Sequence, residues 1–345
     1  MKIWNRSSLF RVLVALGLIG AVTISLHFVR VTGESAPDFP CGSQSEATAN
    51  INIASGESGS EIAQSLFDAG VVKSSEAYFR VAVGDPRSQK VAPGNHEIDL
   101  NLCATEALNQ LLDSTRITGL INITEGAWLS EILPQFYAAN FSQSSVSAAL
   151  NSVVKPSGFS TIEGLLFPAQ YSFATDTPAN EALQSMVDRA AKEMKAAGFY
   201  GSKEKFTPQQ LLIIASLVQA EGNTEDFAKI SQVIRNRLTK GMPLQFDSTV
   251  HYVKKTRGSI FLSTQSTLLN SPYNTYRKYG LPPGPINNPG SDALRAAVNP
   301  TPGDWLYFIT VAPFDTRYTS DINQFNDWKV EYKKNLRAGK FRSNK

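Results

Sequence analysis

The residue best placed to do chemistry in this sequence is Glu221, a carboxylate at the end of a long apolar segment. Thr207 suits the N-cap of a helix, Pro208 its first position, and Gln210 the third position of a capping box. A carboxylate at the rim of a buried helix loses hydration, which raises its pKa. Glu221 is therefore a candidate proton donor near neutral pH.

The helix that carries Glu221 is predicted to be buried on most sides. Leu211, Ile214 and Val218 form one stripe at helical spacing, and further apolar residues cover the opposite side. The helix is expected to end at Glu221, because Gly222 could supply the left-handed residue of a C-cap.

A structural role for Glu221 is the alternative. The carboxylate could pair with Arg235 or Arg237, and structural ion pairs also perturb pKa values. The residue pattern alone leaves both interpretations open.

The bulk composition is that of a folded protein. Of its residues, 42% are hydrophobic, 10% aromatic and 18% charged. The length of 345 residues allows two or three domains, each with its own hydrophobic core. The net charge is +3 and no basic run is interleaved with aromatic residues, so the composition does not indicate nucleic-acid binding. His27, His96 and His251 are far apart and none has ligand spacing with a cysteine, so we expect neither a metal nor another cofactor.

A nearly continuous apolar segment over residues 12–29 follows a basic N-terminus, residues 1–11. Its 18 residues just span a hydrocarbon core, and the basic flank should stay cytoplasmic. We therefore expect a single-pass anchor in the cytoplasmic membrane, with the rest of the chain outside. A cleaved signal peptide is the rival interpretation.

The segment of residues 30–49 is rich in small residues and proline, and is predicted to be a linker. Cys41 and Cys103 are the two cysteines of the chain. In an oxidising compartment such a pair is more often bridged than free, so a disulfide is expected without being required.

An internal sequence repeat follows the linker. Ile51-Asn52-Ile53, Gly56 and Ser60-Glu61-Ile62 recur seventy positions later as Ile121-Asn122-Ile123, Gly126 and Ser130-Glu131-Ile132. Each copy predicts a short strand, a glycine turn and an amphipathic helix. Further helices are predicted over residues 178–197 and 224–240, with a late strand over residues 305–311. The fold class is therefore α+β, with a mainly helical second part and long loops.

Several polar stretches follow Glu221, and their amides, hydroxyls and aromatic faces suit sugar recognition. Each could equally be an ordinary turn. The candidate substrate-binding residues are Asn236, Arg237, Gln245, Asp247, Thr249, Tyr273, Asn274, Thr275, Tyr276, Pro283 and Gly284.

These stretches, in this order and spacing, resemble the endolytic murein transglycosylase (YceG-like) family. The resemblance covers roughly residues 50 to 335 and rests on the following segments: Ala215-Ser216 with Glu221, Asn236-Arg237-Leu238, Gly241-Met242, Leu244-Gln245, Asp247, Thr249-Val250, Tyr273-Asn274-Thr275-Tyr276 and Gly280-Leu281-Pro282-Pro283-Gly284. It implies a LysM-like module at residues 50–115 and a catalytic domain at residues 116–335. Residues 336–345, after this part, form a basic C-terminal tail.

The resemblance also implies an activity. The family's catalytic glutamate falls on Glu221, which would act as general acid and then as base. It would cleave MurNAc–GlcNAc bonds in nascent peptidoglycan strands and leave 1,6-anhydroMurNAc ends. The alternatives are a non-catalytic glycan-binding scaffold and a hydrolase with Asp247 as second carboxylate. By analogy alone, penicillin-binding proteins are expected partners.

This sequence departs from the family's pattern at three positions. Gln219 replaces a common second glutamate, which leaves Glu221 as the carboxylate of that turn. Ala169 and Phe325 stand where an acid and a histidine are common, which weakens any carry-over to the edges of the cleft.

Overall fold

The computed structural model describes residues 36–42, 46–201, 206–257 and 262–341. Its chain divides into two compact units, the first ending at Ile117 and the second beginning at Thr118. Helices dominate, and the strands of the described residues form three two-stranded antiparallel sheets. The predicted α+β class is therefore confirmed.

The first unit combines one sheet with three helices. Its elements are β1 (Thr48–Ile53), α1 (Gly59–Asp68), α2 (Ser75–Gly84), β2 (Gly94–Asp99) and α3 (Ala104–Leu111), with short 3-10 turns at Pro86–Lys90 and Ser114–Arg116. Strand β1 pairs with β2, and the core between sheet and helices includes Leu66, Tyr78, Ile98 and Leu108. A disulfide joins Cys41 to Cys103, the residue before α3, so the pairing that the sequence favoured is present.

The second unit is larger and mainly helical. Its elements are β3 (Ile121–Asn122), α4 (Leu129–Ala138), α5 (Gln143–Ser152), β4 (Gln170–Tyr171), α6 (Ala179–Ala197), α7 (Pro208–Glu221), α8 (Phe227–Thr239), α9 (Asp247–Lys254), α10 (Thr264–Thr267), α11 (Ser291–Val298), β5 (Tyr307–Ala312), β6 (Asp315–Thr319) and α12 (Ile322–Arg337), with a 3-10 turn at Thr224–Asp226.

Helix α7 is the centre of this unit. Every residue from Leu211 to Val218 is buried, and the helix packs against α8 and α11. Thr207 and Gln210 form the predicted capping box at its N-terminus: the Thr207 backbone N–H donates to the Gln210 side chain at 2.9 Å. The helix leaves the core only in its last turn, where Gln219 and Glu221 are partly exposed and Ala220 is exposed.

The end of α7 differs from the prediction. Gly222 is extended, with φ −154° and ψ −176°, and is not a left-handed cap. A Cβ at this position would lie 2.3 Å from Cδ1 of Ile230 on α8. The glycine is therefore needed for close packing between α7 and α8.

The two copies of the internal sequence repeat also have the same local structure. β1 and β3 each lead to a glycine with positive φ, Gly56 at +83° and Gly126 at +74°. In both copies the glutamate at the third helical position accepts the backbone N–H of the N-cap residue, at 2.8 Å for both Glu61 and Glu131. The repeated sequence thus produces the same strand, turn and capped helix twice.

Several late elements were not predicted. The strand expected over residues 305–311 is β5, but its partner β6 and the helices α9 to α12 were missed. Strand β6 is polar, and the only residue of α12 that is buried is Asn335, so neither carries a strong apolar pattern.

No helix within residues 36–42, 46–201, 206–257 and 262–341 combines the length and apolar character needed to cross a bilayer. The predicted anchor at residues 12–29 lies outside the described residues.

Candidate active site

Glu221 lies at the C-terminus of α7 and is largely removed from solvent. Burial raises the pKa of its carboxyl to about 7, and the charge of nearby Asp247 acts in the same direction. Hydrogen bonding from Ser248 and the charge of Arg237 oppose this rise in the pKa of Glu221. Near neutral pH, the carboxyl can therefore hold a proton and also release it.

Ser248 orients the carboxyl group. It sits in the first turn of α9, and its Oγ donates a hydrogen bond to Oε1 of Glu221. Because the helix fixes the Ser248 backbone, this bond fixes the direction in which the carboxyl of Glu221 points.

Asp247 is already engaged by an aromatic hydroxyl. Tyr276 donates a hydrogen bond to Oδ1 of Asp247, the first residue of α9. Burial makes the largest contribution to raising the pKa of the Tyr276 phenol, and the hydrogen bond to the Asp247 carboxylate raises this pKa further. The phenol therefore stays protonated. Asp247 therefore ties the loop that carries Tyr276 to α9.

The described residues do not form the ion pair between Glu221 and an arginine that was the structural alternative. Arg237 is buried and donates through Nε to the Leu306 carbonyl at 2.7 Å and through Nη1 to the Leu244 carbonyl. Arg235 donates to Oγ of Ser231 at 2.7 Å. Among the ion pairs of the described residues, none includes Glu221.

A cleft of about 250 Å³ lies beside this carboxyl group, and Ser248 connects the two because it lines the cleft and also contacts Glu221. The other lining residues are Glu125, Gly126, Trp128, Gln219, Ala220, His251, Thr256, Arg257, Ile286 and Asn287. The volume is just below that of typical small-molecule pockets, ~300–1,000 Å³. The cleft thus suits a single sugar residue of a longer strand that continues outside it.

A second buried carboxyl, Glu163, supports the wall of the cleft. It is 7% exposed and accepts hydrogen bonds from the Leu129 backbone N–H at 3.0 Å, from Asn288 Nδ2 at 3.1 Å and from the Tyr252 hydroxyl at 3.2 Å. Burial raises the pKa of Glu163 to about 7, against these hydrogen bonds. It therefore joins three separate segments while holding its proton near neutral pH.

Four of the predicted sugar-binding residues are used inside the protein. Asn236 donates to the carbonyls of Gly303 at 3.0 Å and Trp305 at 2.8 Å. Thr249, Asn274 and Thr275 are at most 1% exposed. The side chains of these three residues bond to neighbouring segments, and none of the four residues lines the cleft.

Three other predicted residues are more open. Gln245 and Pro283 are exposed, and Tyr273 is partly exposed. Gly284 is buried against Tyr273, since a Cβ there would lie 2.9 Å from the phenol oxygen. Sugar contacts by these residues stay a prediction, and the structure leaves Gln245, Tyr273 and Pro283 accessible for them.

Sequence reasoning assigned none of the residues that line the cleft to the site. Ser248, His251 and Asn287 line the cleft, and Glu163 stands behind it. Ser248 could have been found, because it directly follows Asp247 in one of the polar stretches. Glu163 lies 58 positions before Glu221 in an apolar context, and no local pattern marks it.

The chain matches the YceG-like family over residues 51–331. It is 31% identical over 315 residues to an endolytic murein transglycosylase of Bacillus subtilis, which covers 85% of this chain and 87% of that protein. It is 35% identical over 176 residues to an endolytic murein transglycosylase of Streptococcus pneumoniae, which covers 49% of this chain and 32% of that protein.

A solved structure agrees on the fold. A yceG-like protein of Listeria monocytogenes superimposes with a TM-score of 0.53 over 82% of this chain and 99% of that chain, at 24% identity. Because the family match covers most of the chain and the Bacillus relative aligns along nearly its whole length, this chain belongs to the YceG-like family.

Proposed function

We propose that this chain is an endolytic lytic transglycosylase, a lyase that cleaves MurNAc–GlcNAc bonds within peptidoglycan glycan strands. The observation that carries the proposal is Glu221, a single carboxyl at the end of a buried helix, with a pKa of about 7 and a cleft beside it. Relatives named endolytic murein transglycosylases support the same activity.

One carboxyl with this pKa can perform both proton transfers. Protonated Glu221 donates its proton to the glycosidic oxygen as the bond from that oxygen to C1 of the muramyl sugar breaks. The resulting carboxylate then takes the proton of the C6 hydroxyl, whose oxygen bonds to C1 and closes the 1,6-anhydro ring. The proton lost in the first step is regained in the second, so no water is consumed.

The hydrolase alternative needs a second catalytic carboxylate or an activated water. Asp247 is the candidate, but its Oδ1 accepts the hydroxyl of Tyr276. A nucleophile would have to break that bond first. The engagement of Asp247 therefore favours the lyase.

Three further parts of the proposal concern the rest of the chain. Residues 12–29 anchor the protein in the cytoplasmic membrane, with both folded units outside. The first unit is a LysM-like module that binds glycan, and a groove of about 680 Å³ lined by residues of β1, α1 and α2 gives it room to do so. Penicillin-binding proteins are the proposed partners.

The mass of the released fragments tests the proposal. Purified sacculi are digested with the protein, and the soluble muropeptides are separated by chromatography and weighed. The lyase gives anhydro-muramyl fragments, each lighter by one water than the corresponding hydrolysis product. Hydrated fragments would establish the hydrolase instead, and binding without any fragments would establish the scaffold.

A further inference from the structure

The cleft contains a buried hydrogen-bond acceptor without a partner, Oδ1 of Asn287. Asn287 is 1% exposed, and its Nδ2 donates to the Ser216 carbonyl of α7 at 2.8 Å. A carbonyl oxygen only accepts, so the amide atom that faces it must be the nitrogen. The oxygen of Asn287 is therefore the free edge of the amide, and burying an acceptor without a hydrogen-bond partner is unfavourable.

The backbone around Asn287 is held rigidly. The Ile286 backbone N–H donates to Ser216 Oγ at 3.1 Å, and Asn288 Nδ2 donates to the Ala127 carbonyl at 2.9 Å. The Leu166 backbone N–H donates to Asn288 Oδ1 at 2.8 Å. With its neighbours fixed on both sides, Asn287 cannot easily turn its oxygen to another partner inside the protein.

A second unpartnered buried atom belongs to the same cleft, Nδ1 of His251 on α9. A neutral imidazole nitrogen can donate or accept a hydrogen bond, according to its tautomer. The lining of the cleft also includes the apolar side chains of Ile286 and Trp128, which are 1% and 6% exposed. Among the polar groups that line the cleft, Asn287 Oδ1 and His251 Nδ1 are thus a buried acceptor and a buried group able to donate, both without a partner, beside an apolar surface.

An acetamido group has the complementary set: an N–H that donates, a carbonyl that accepts, and a methyl. We infer that this cleft is the recognition site for a sugar N-acetyl group, in which the sugar N–H donates to Asn287 Oδ1. His251 Nδ1–H donates to the acetyl carbonyl, and the methyl packs on Ile286 and Trp128. This inference rests on the proposed function and assigns Asn287 and His251 as specificity-determining residues beside Glu221.

Selectivity for acetylated sugar is the expected consequence. A site built to bond a substrate N–H discriminates strongly against an analogue that leaves its buried acceptor unpaired or forces a charge against it. N-deacetylated glycan presents an amine and no carbonyl at this point. It should therefore be cleaved much more slowly, by ~10-fold or more, since each 1.4 kcal/mol changes a rate tenfold.

The test compares kcat/KM for N-acetylated glycan strands with kcat/KM for the same strands after chemical N-deacetylation. The wild type should prefer the acetylated strands, and the preference should fall by ~10-fold in Asn287→Ala, a loss of ~1.4 kcal/mol of discrimination. His251→Phe, which keeps a planar ring but no nitrogen, should lower it in the same direction. Asn223→Ala is the matched control, because Asn223 is exposed just before the 3-10 turn at Thr224–Asp226 and does not line the cleft, so it should leave the ratio unchanged.

Binding provides a second readout if Asn287→Ala does not fold. Glu221→Gln protein with a bound N-acetylated glycan tetramer should place the sugar N–H within hydrogen-bond distance of Asn287 Oδ1 in a crystal structure. An ordered water on that oxygen, with the acetyl group elsewhere, would overturn the inference. An unchanged acetyl preference in folded Asn287→Ala would do the same. In either case the lyase activity of the wild type would stand, so the two proposals fail separately.

Discussion

Ser248 Oγ donates a hydrogen bond to Oε1 of Glu221, and Ser248 also lines the cleft beside it. The serine belongs to α9 and the glutamate ends α7, so the bond connects two helices at the point where chemistry is proposed. The contact both directs the carboxyl group and lowers its pKa against the larger effect of burial.

The first prediction concerns Ser248→Ala. Removing the donor lets the pKa of Glu221 rise further, so the alkaline limb of the pH profile of kcat/KM should move to higher pH. Loss of orientation should also lower kcat by about tenfold, roughly 1.4 kcal/mol in the barrier. Initial rates of anhydro-muropeptide release between pH 5 and 9 measure both effects. Ser130→Ala, at an exposed position on α4, is the control and should match the wild type. An alkaline limb at the wild-type pH would mean that Ser248 does not act on this carboxyl.

The second prediction concerns the pH dependence of stability. The pKa of Glu163 is raised to about 7 in the folded chain from an ordinary 4.5. Between these values the unfolded chain ionises while the folded chain keeps its proton, so the free energy of unfolding falls as pH rises. One pKa unit corresponds to about 1.4 kcal/mol, so the loss from pH 5 to pH 8 is about 2 to 3 kcal/mol.

Glu163→Gln should remove that part of the pH dependence, because glutamine does not titrate. Urea unfolding of both proteins at pH 5 and pH 8 gives the comparison. The wild type should lose about 2 to 3 kcal/mol more than the variant over this interval. Equal losses in the two proteins would show that Glu163 titrates normally.

The third prediction concerns whether Asn236 has a structural role or contacts the sugar. Asn236 holds the carbonyls of Gly303 and Trp305, so Asn236→Ala should lower the free energy of unfolding by about 1 to 3 kcal/mol. Chemical denaturation checks this. A variant of wild-type stability with a raised KM would instead make Asn236 a substrate contact, as the sequence first suggested.

The fourth prediction concerns the disulfide. Cys41 and Cys103 are 62 residues apart, and closing a loop of that length in the unfolded chain stabilises the folded form by about 4 kcal/mol in the chain-entropy treatment. The double substitution Cys41→Ser with Cys103→Ser should destabilise the first unit by a few kcal/mol. Thermal unfolding of the wild type and the double variant measures the change in stability of the first unit. The prediction would be contradicted if the first unit unfolded at the same temperature in both proteins.

The sequence was most informative where one local pattern decides the structure. The capping box of Thr207 and Gln210 and the apolar run between them and Glu221 predict α7 because each signal lies within one or two turns of helix. The late helix α12 was missed because polar residues cover it and only Asn335 is buried, so its stripe is weak.

The site could be predicted only in part, for a physical reason. An asparagine that binds sugar and one that holds a loop have the same local sequence, and only the distant partner distinguishes them. The carbonyls bound by Asn236 lie 67 and 69 positions away, and the amide of Asn287 meets Ser216 from 71 positions away. Gly222 was misassigned because the clash that requires a glycine comes from Ile230 on the next helix.

The most direct measurement is muropeptide release by Glu221→Gln beside Glu225→Gln. Glu225 is an exposed carboxylate four positions further on, so its variant carries the same chemical change outside the site. Both variants should fold as the wild type does, judged by circular dichroism and thermal unfolding. Glu225→Gln should release anhydro-muropeptides at the wild-type rate, whereas Glu221→Gln should release none above background. Undiminished anhydro product from folded Glu221→Gln would contradict the account at its centre.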